Sequence, residues 1–228
     1  LNLAPELIES GSENEAREGI EMAQLGDSSV LGDLVKIRTG IQSGGSAKKR
    51  RDTAKECDAR VIKVRDVTSE HTIDYERLTT ISTDADLAEK HWLKSGQVLF
   101  FGRMGQRYTV LIEGDVPQGV LVDKFFFVIT IRNREQVRPD YLAWFLNSGP
   151  AQKFFKANES GSPHGFISKA TLDKLPIDLP GLDIQERIGA VWSRWKRKKQ
   201  AVLEALDSEG QLIAAKLDQA AWSGIHEQ

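Results

Sequence analysis

A single cysteine, Cys57, in 228 residues excludes an internal disulfide and cannot build a structural zinc site by itself, which suits a reducing interior. Long apolar runs are also missing. No stretch approaches the roughly 20 residues needed to span a bilayer, and Leu1 to Gln24 is acidic and polar, with no basic segment leading an apolar one. Neither export nor membrane insertion is expected, and a cytoplasmic location is the default. Catalytic signatures are scarce as well. No Asp or Glu is followed two positions later by Lys, the spacing at which a metal-dependent nuclease brings both groups to one phosphate. There is no Pro-Pro pair of the kind an amino-methyltransferase uses beside its target base, no Gly-x-Ser-x-Gly elbow and no phosphate loop. His71, His91, His164 and His226 are scattered, with no two at metal-ligand spacing, so no metal is expected. The run Phe101-Gly102-Arg103-Met104-Gly105 is only superficially like the glycine turn of methionine-cofactor sites. Its spacing is off and no helix pattern follows, so no cofactor is expected.

What is present is segregated charge. The net charge of -2 hides an acidic lead, where Glu6, Glu9, Glu13, Glu15, Glu18, Glu21 and Asp27 face Arg17 alone. It also hides a basic stretch in which Lys48, Lys49, Arg50, Arg51, Lys55, Arg60, Lys63 and Arg65 are opposed only by Asp52, Glu56 and Asp58. A second basic run covers Arg194 to Lys199. Binding follows local potential more than whole-chain charge.

The pattern predicts an α+β chain in three parts. Residues 1–30 read as an acidic linker or N-terminal extension. Residues 31–180 read as one domain, a curved, mostly antiparallel sheet with packed short helices. Residues 181–228 read as one long C-terminal helix. Strand-like runs fall at Val61 to Val64, Gln97 to Phe101, Tyr108 to Ile112 and Phe125 to Ile131. Pro139 opens a helix that Ser148-Gly149-Pro150 should stop, and Ser168 caps a shorter one ended by Pro176. Asp183 and Glu186 have capping-box spacing. Beyond them Ile184, Ile188, Trp192, Trp195, Lys199, Val202, Leu206, Ile213, Leu217 and Ala220 recur at helical steps. Such a stripe is longer than a domain of this size can cover, so it needs a partner helix. Ile188, Trp192, Trp195, Val202, Leu206 and Ile213 are the candidates for self-association. Gly210, costing about 1 kcal/mol relative to Ala, is a candidate bend.

Three loops are candidate DNA contacts. Lys48, Lys49, Arg50 and Arg51 follow a Gly-Gly lead and are too crowded for all to reach base edges, which suits phosphates. Arg103, Gln106, Arg107 and Tyr108 lie beside glycines at a strand end, where Arg and Gln read guanine and adenine edges. Ser162 and His164 sit in a glycine-flanked turn that is either plain surface or a close approach to a ligand. Lys63 and Arg65 add charge. The three loops together would form one concave basic surface.

Six segments, in order, resemble the specificity subunit of type I restriction-modification systems. They are Leu31 to Gly40, Val61 to Val67 with Asp66-Val67, Leu93 to Phe100 with Gln97 where the family usually has Asp, Pro139 to Leu142 with Leu146-Asn147-Ser148, Gly165 to Pro180, and Gln185 to Ile188. The resemblance implies a target-recognition domain that reads duplex DNA and a helix that sets spacing and docks a DNA methyltransferase (modification) subunit. It implies no catalysis in this chain. A full subunit of that family carries two such domains and two helices, whereas this chain has one of each. Two alternatives stay open. One is the C-terminal recognition segment of a fused methyltransferase or methyltransferase-nuclease, with which the Leu1 start and acidic lead agree. The other is a DNA-binding regulator or scaffold in a phage-defence operon.

Overall fold

The computed structural model describes residues 29–42, 55–160 and 165–223. The strands are β1 (Ser29–Val30), β2 (Val35–Thr39), β3 (Glu56–Ile62), β4 (Thr79–Asp84), β5 (Val98–Arg103), β6 (Gln106–Leu111), β7 (Val120–Val122), β8 (Phe126–Ile131) and β9 (Pro176–Ile177). The helices are α1 (Leu31–Leu34), α2 (Ala85–His91), α3 (Pro139–Asn147), α4 (Gly149–Ala157), α5 (Lys169–Asp173) and α6 (Leu182–Ser223).

The α+β class and the long C-terminal helix agree with the sequence, but the strands divide among three sheets. One is antiparallel in the order β2-β8-β5-β6, a second runs β4-β3-β7, and β1 pairs with β9. In the second sheet β3 and β7 are parallel, with Arg60 to Ile62 opposite Val120 to Val122. Parallel neighbours need a long crossover, and the chain between these two strands supplies it by building β4, α2, β5 and β6.

Successive side chains on a strand point to opposite faces, and β5 is apolar on both. Val98 and Phe100 enter a core with α3, α4 and α5, built on Leu142, Leu146, Phe155 and Leu172. Leu99 and Phe101 enter a second core, with Val128 beside them and Ile62, Val120 and Val122 from the other sheet. A third, smaller core holds Val61, Leu121 and Ala88 of α2. The order is therefore helices, sheet, sheet, helix. Gln97, at the position where the resemblance expected Asp, is buried and bonded through both ends of its side-chain amide. Its Oε1 accepts the Lys94 N–H at 3.0 Å and its Nε2 donates to Thr130 Oγ1 at 2.8 Å. A carboxylate there would have no proton for Thr130.

Two helix signals read differently in the structure. Ser148-Gly149-Pro150 does end α3, but Pro150 then starts α4, because proline's fixed φ and missing N–H suit a first turn. The expected Asp183–Glu186 capping box is absent because α6 already begins at Leu182. Asp183 pairs instead with Arg187 at 3.2 Å, and Glu186 lies 3.8 Å from Arg138. Ser168 caps α5 as expected, accepting the Thr171 N–H at 3.0 Å.

The root of α6 is locked to the domain. Gln185 is 1% exposed, accepts the Arg138 N–H at 2.9 Å, and donates to Gln136 O and Pro180 O, each at 2.9 Å. Gly189 lies so close to α3 that a β-carbon would overlap the Asp140 carboxylate. Farther along, Lys199 reaches Glu70 at 3.0 Å. The helix continues through Gly210 without a break. From residue 201 to 221 every residue is exposed, so about 30 Å of helix stands clear of the domain.

Candidate nucleic-acid interface

The candidate interface is built on the β5–β6 hairpin. Arg103 pairs with Gln106, leaving Met104 and Gly105 as a two-residue turn with φ of 53° and 73°. Positive φ at both positions is what a type I′ hairpin uses to match strand twist. Gln106 is exposed. The Arg103 guanidinium lies over two aromatic rings, 5.3 Å from the centre of Phe125 and 5.9 Å from that of Phe166. Attraction to both ring faces holds the cation in place, and the donors of its fork match a guanine edge.

The hairpin is braced by the segment after α4. Met104 N–H donates to Gly165 O at 2.9 Å, Ile167 N–H donates to Gly102 O at 2.9 Å, and Arg103 bridges to Phe166. Arg107 and Glu159 form an ion pair at 3.0 Å with side chains only 16% and 22% exposed. Gly165 permits this closeness, since a β-carbon there would sit 2.6 Å from Glu159 Cγ. On the other side, Phe125 belongs to a turn whose Asp123 accepts the Phe125 N–H through Oδ1 at 3.2 Å. Asp123 also bridges to Ile41, and Gly40 N–H donates to Phe126 O at 3.0 Å. Lys124 lies over the Phe125 ring at 5.5 Å.

The structure thus brings together the bases of the three loops marked in the sequence. The chain passes the Phe125 turn at Ile41 before residues 43–54, and the hairpin tip holds Gly165 and Phe166. Lys48, Lys49, Arg50, Arg51, Ser162 and His164 lie outside the described residues. Lys63 and Arg65 stand at a single helical turn, Val64–Asp66, where the Lys63 N–H donates to Asp66 Oδ2 at 2.9 Å and Arg65 donates to Thr79 Oγ1 at 2.8 Å. Between this turn and the hairpin opens a cleft of about 470 Å³, lined by Val64, Thr68, Ser69, His71, Gln106 and Tyr108 among others.

The hairpin residues separate by role. Arg103 and Gln106 are presented at the tip, and among the described residues no carboxylate pairs with Arg103. Arg107 is committed to Glu159. Tyr108 stacks between His71, at 4.5 Å, and Phe101, at 5.1 Å, and burial pushes its hydroxyl up to about 12, so it stays a neutral phenol. Sequence reading missed Glu159, Lys124 and the two rings around Arg103. Phe125 reads only as a strand start and Phe166 only as part of the family-like segment. On α6, Ile188 packs against the helix-side core, while Trp192 and Trp195 stack on each other at 5.1 Å. Trp195, Val202, Leu206, Ile213 and Leu217 are exposed. Among the described residues no group of three His, Cys, Asp or Glu side chains is placed to hold a metal, and no helix is long and apolar enough to cross a membrane.

No protein-family model matches the sequence, and no curated protein matches it. Among solved structures, the fold is similar to that of the type I restriction-modification system S subunit from M. genitalium. The TM-score is 0.56 at 10% identity, over 84% of this chain and 44% of that one. A chain from the type I R-M system, solved for its complex assembly and conformational transition, gives a TM-score of 0.52 at 18% identity, over 87% of this chain and 46% of that one. At these identities the likeness is one of fold. This chain spans a little under half the length of either structure.

Proposed function

We propose that the chain is a non-catalytic, sequence-specific reader of double-stranded DNA that directs a partner adenine methyltransferase, and any restriction subunit travelling with it, to a target site. Its place is with that DNA in the cytoplasm. The observation that carries this reading is Arg103 on its hairpin. The cation is clamped by two rings, has no carboxylate partner among the described residues, and stands beside exposed Gln106 at the mouth of a wide cleft. A rigid, unpaired Arg next to Gln suits base readout. Lys48 to Arg51 then serve phosphates, with Lys63 and Arg65 on the far side of the cleft. The S-subunit fold supports the same reading.

Residues 31–180 form the recognition domain and residues 181–228 the helix through which two copies associate. The exposed side chains at 195, 202, 206, 213 and 217 advance by seven and four, the spacing of a helix–helix seam. In a two-fold dimer each domain meets an identical half-site, so the target would be split and palindromic.

The test is to map methylated adenines in the source genome with and without this gene. One bipartite, symmetric motif should lose its methylation. An unchanged methylome would overturn the assignment to a modification system.

A further inference from the structure

Met104 is an unusual residue for its place. The first position of a two-residue hairpin turn with positive φ favours Asn, Asp or Gly, and a bulky side chain there is strained. Among the described residues no packing offsets the strain, since Met104 is 65% exposed. Two more large apolar side chains stand exposed beside the same cation, Phe125 at 43% and Phe166 at 42%. The tip is nevertheless rigid, tied by Met104 N–H to Gly165 O, by Ile167 N–H to Gly102 O, and by the Arg107–Glu159 pair. A stiff, strained, apolar point with Arg103 and Gln106 at its sides to read neighbouring base edges, and Lys124 to meet a phosphate, is the chemistry of a side chain that enters a stack of bases.

We propose that Met104 is a wedge that unstacks one base step of the bound duplex, with Phe125 and Phe166 as its apolar backing. This rests on the reading that the chain binds duplex DNA. It adds a requirement for deformability at one step, favouring a flexible pyrimidine–purine step whose base edges are not read directly.

The experiment begins by enriching duplexes from a random-sequence library on the full chain. The enriched duplex is then resynthesised with 2-aminopurine at successive positions, and fluorescence is read free and bound. A several-fold rise confined to one step is expected with the wild type. It should be lost with Met104→Gly and with Met104→Asn, both of which accept a left-handed backbone and so keep the fold, as a melting curve would verify. Both variants should still bind the enriched duplex but discriminate several-fold less at the unstacked step, while discrimination at the other positions stays. Binding with no rise at any position, or a rise that both variants keep, overturns the wedge and leaves the DNA reading intact. Failure to enrich any duplex overturns both. If the variants keep the fluorescence rise but lose association with a co-expressed methyltransferase subunit, the tip is a protein contact and the wedge is wrong.

Discussion

Arg107 and Glu159, 52 residues apart in sequence, meet at 3.0 Å and tie the β5–β6 hairpin to the segment after α4. Among the described residues Arg107 Nε is buried with no partner, and Glu159 is the one carboxylate that pairs with this guanidinium. Glu159→Gln is therefore expected to lower unfolding free energy by about 1–3 kcal/mol. Gly165→Ala, which displaces the Glu159 side chain while keeping both charges, should reproduce much of that loss. Denaturant titration measures both, and an unchanged midpoint for Glu159→Gln would show the pair to be idle.

Arg103→Ala should behave in the opposite way. With its rings left in place, stability should change by no more than about 0.5 kcal/mol, while binding to an enriched target weakens by about 1–3 kcal/mol and binding to random DNA much less. Replacing Lys48, Lys49, Arg50 and Arg51 with Ser should weaken binding to every sequence and flatten the salt dependence by up to about 0.9 log units per lost phosphate contact. Titrations on both DNAs at several salt concentrations separate the two. Equal losses on both DNAs for Arg103→Ala would remove it from base readout.

On α6 the substitutions that test association must lie beyond the root. Leu206→Glu with Ile213→Glu falls where every residue is exposed and should yield a folded monomer by light scattering. Ile188→Glu, which puts a charge into the α3 contact, should instead lower stability. A wild type that is already monomeric, alone and with a modification subunit, would end the dimer proposal.

The pH response should centre on His71. Its imidazole is held below the ordinary value of 6.5, first by burial and then by Lys196; Glu70 pulls the other way and Lys199 adds to the lowering. The folded state thus prefers the neutral ring and binds fewer protons than the unfolded chain. This contribution to stability is fully present above pH 6.5 and is lost as pH falls from there through the lowered folded value. His71→Asn, which tolerates the φ of 57° at this position, should flatten the loss just below pH 6.5. Unfolding midpoints measured across that range give the comparison.

Where one residue's neighbours settle its structure, the sequence was readable. Val98 to Phe101 declares a strand by being apolar throughout, Pro139 opens α3, and Ser168 caps α5. Val120–Val122 is too short to show a period, and it becomes a strand only because β3 waits beside it. Gly149-Pro150 stops one helix and starts another, and local chemistry cannot say that the second follows. The same boundary divides the candidate site. Arg103 and Gln106 are visible because glycines and strand-like runs surround them, whereas Glu159, Phe125 and Phe166 matter only through contacts made across the fold.

The fixed root of α6 also makes it a lever. Gln185, the Gly189–Asp140 approach and the Lys199–Glu70 pair pin the helix at its base, while residues 201–221 stand free for about 30 Å. A tilt of about 10° about Gly189 would carry the far end of the helix, about 50 Å away, by roughly 9 Å, between two and three base-pair rises of about 3.4 Å. Small repacking around Gly189, far from any base, would therefore shift a partner held at the tip by whole steps along a double helix. The angle of one glycine contact becomes a unit of length.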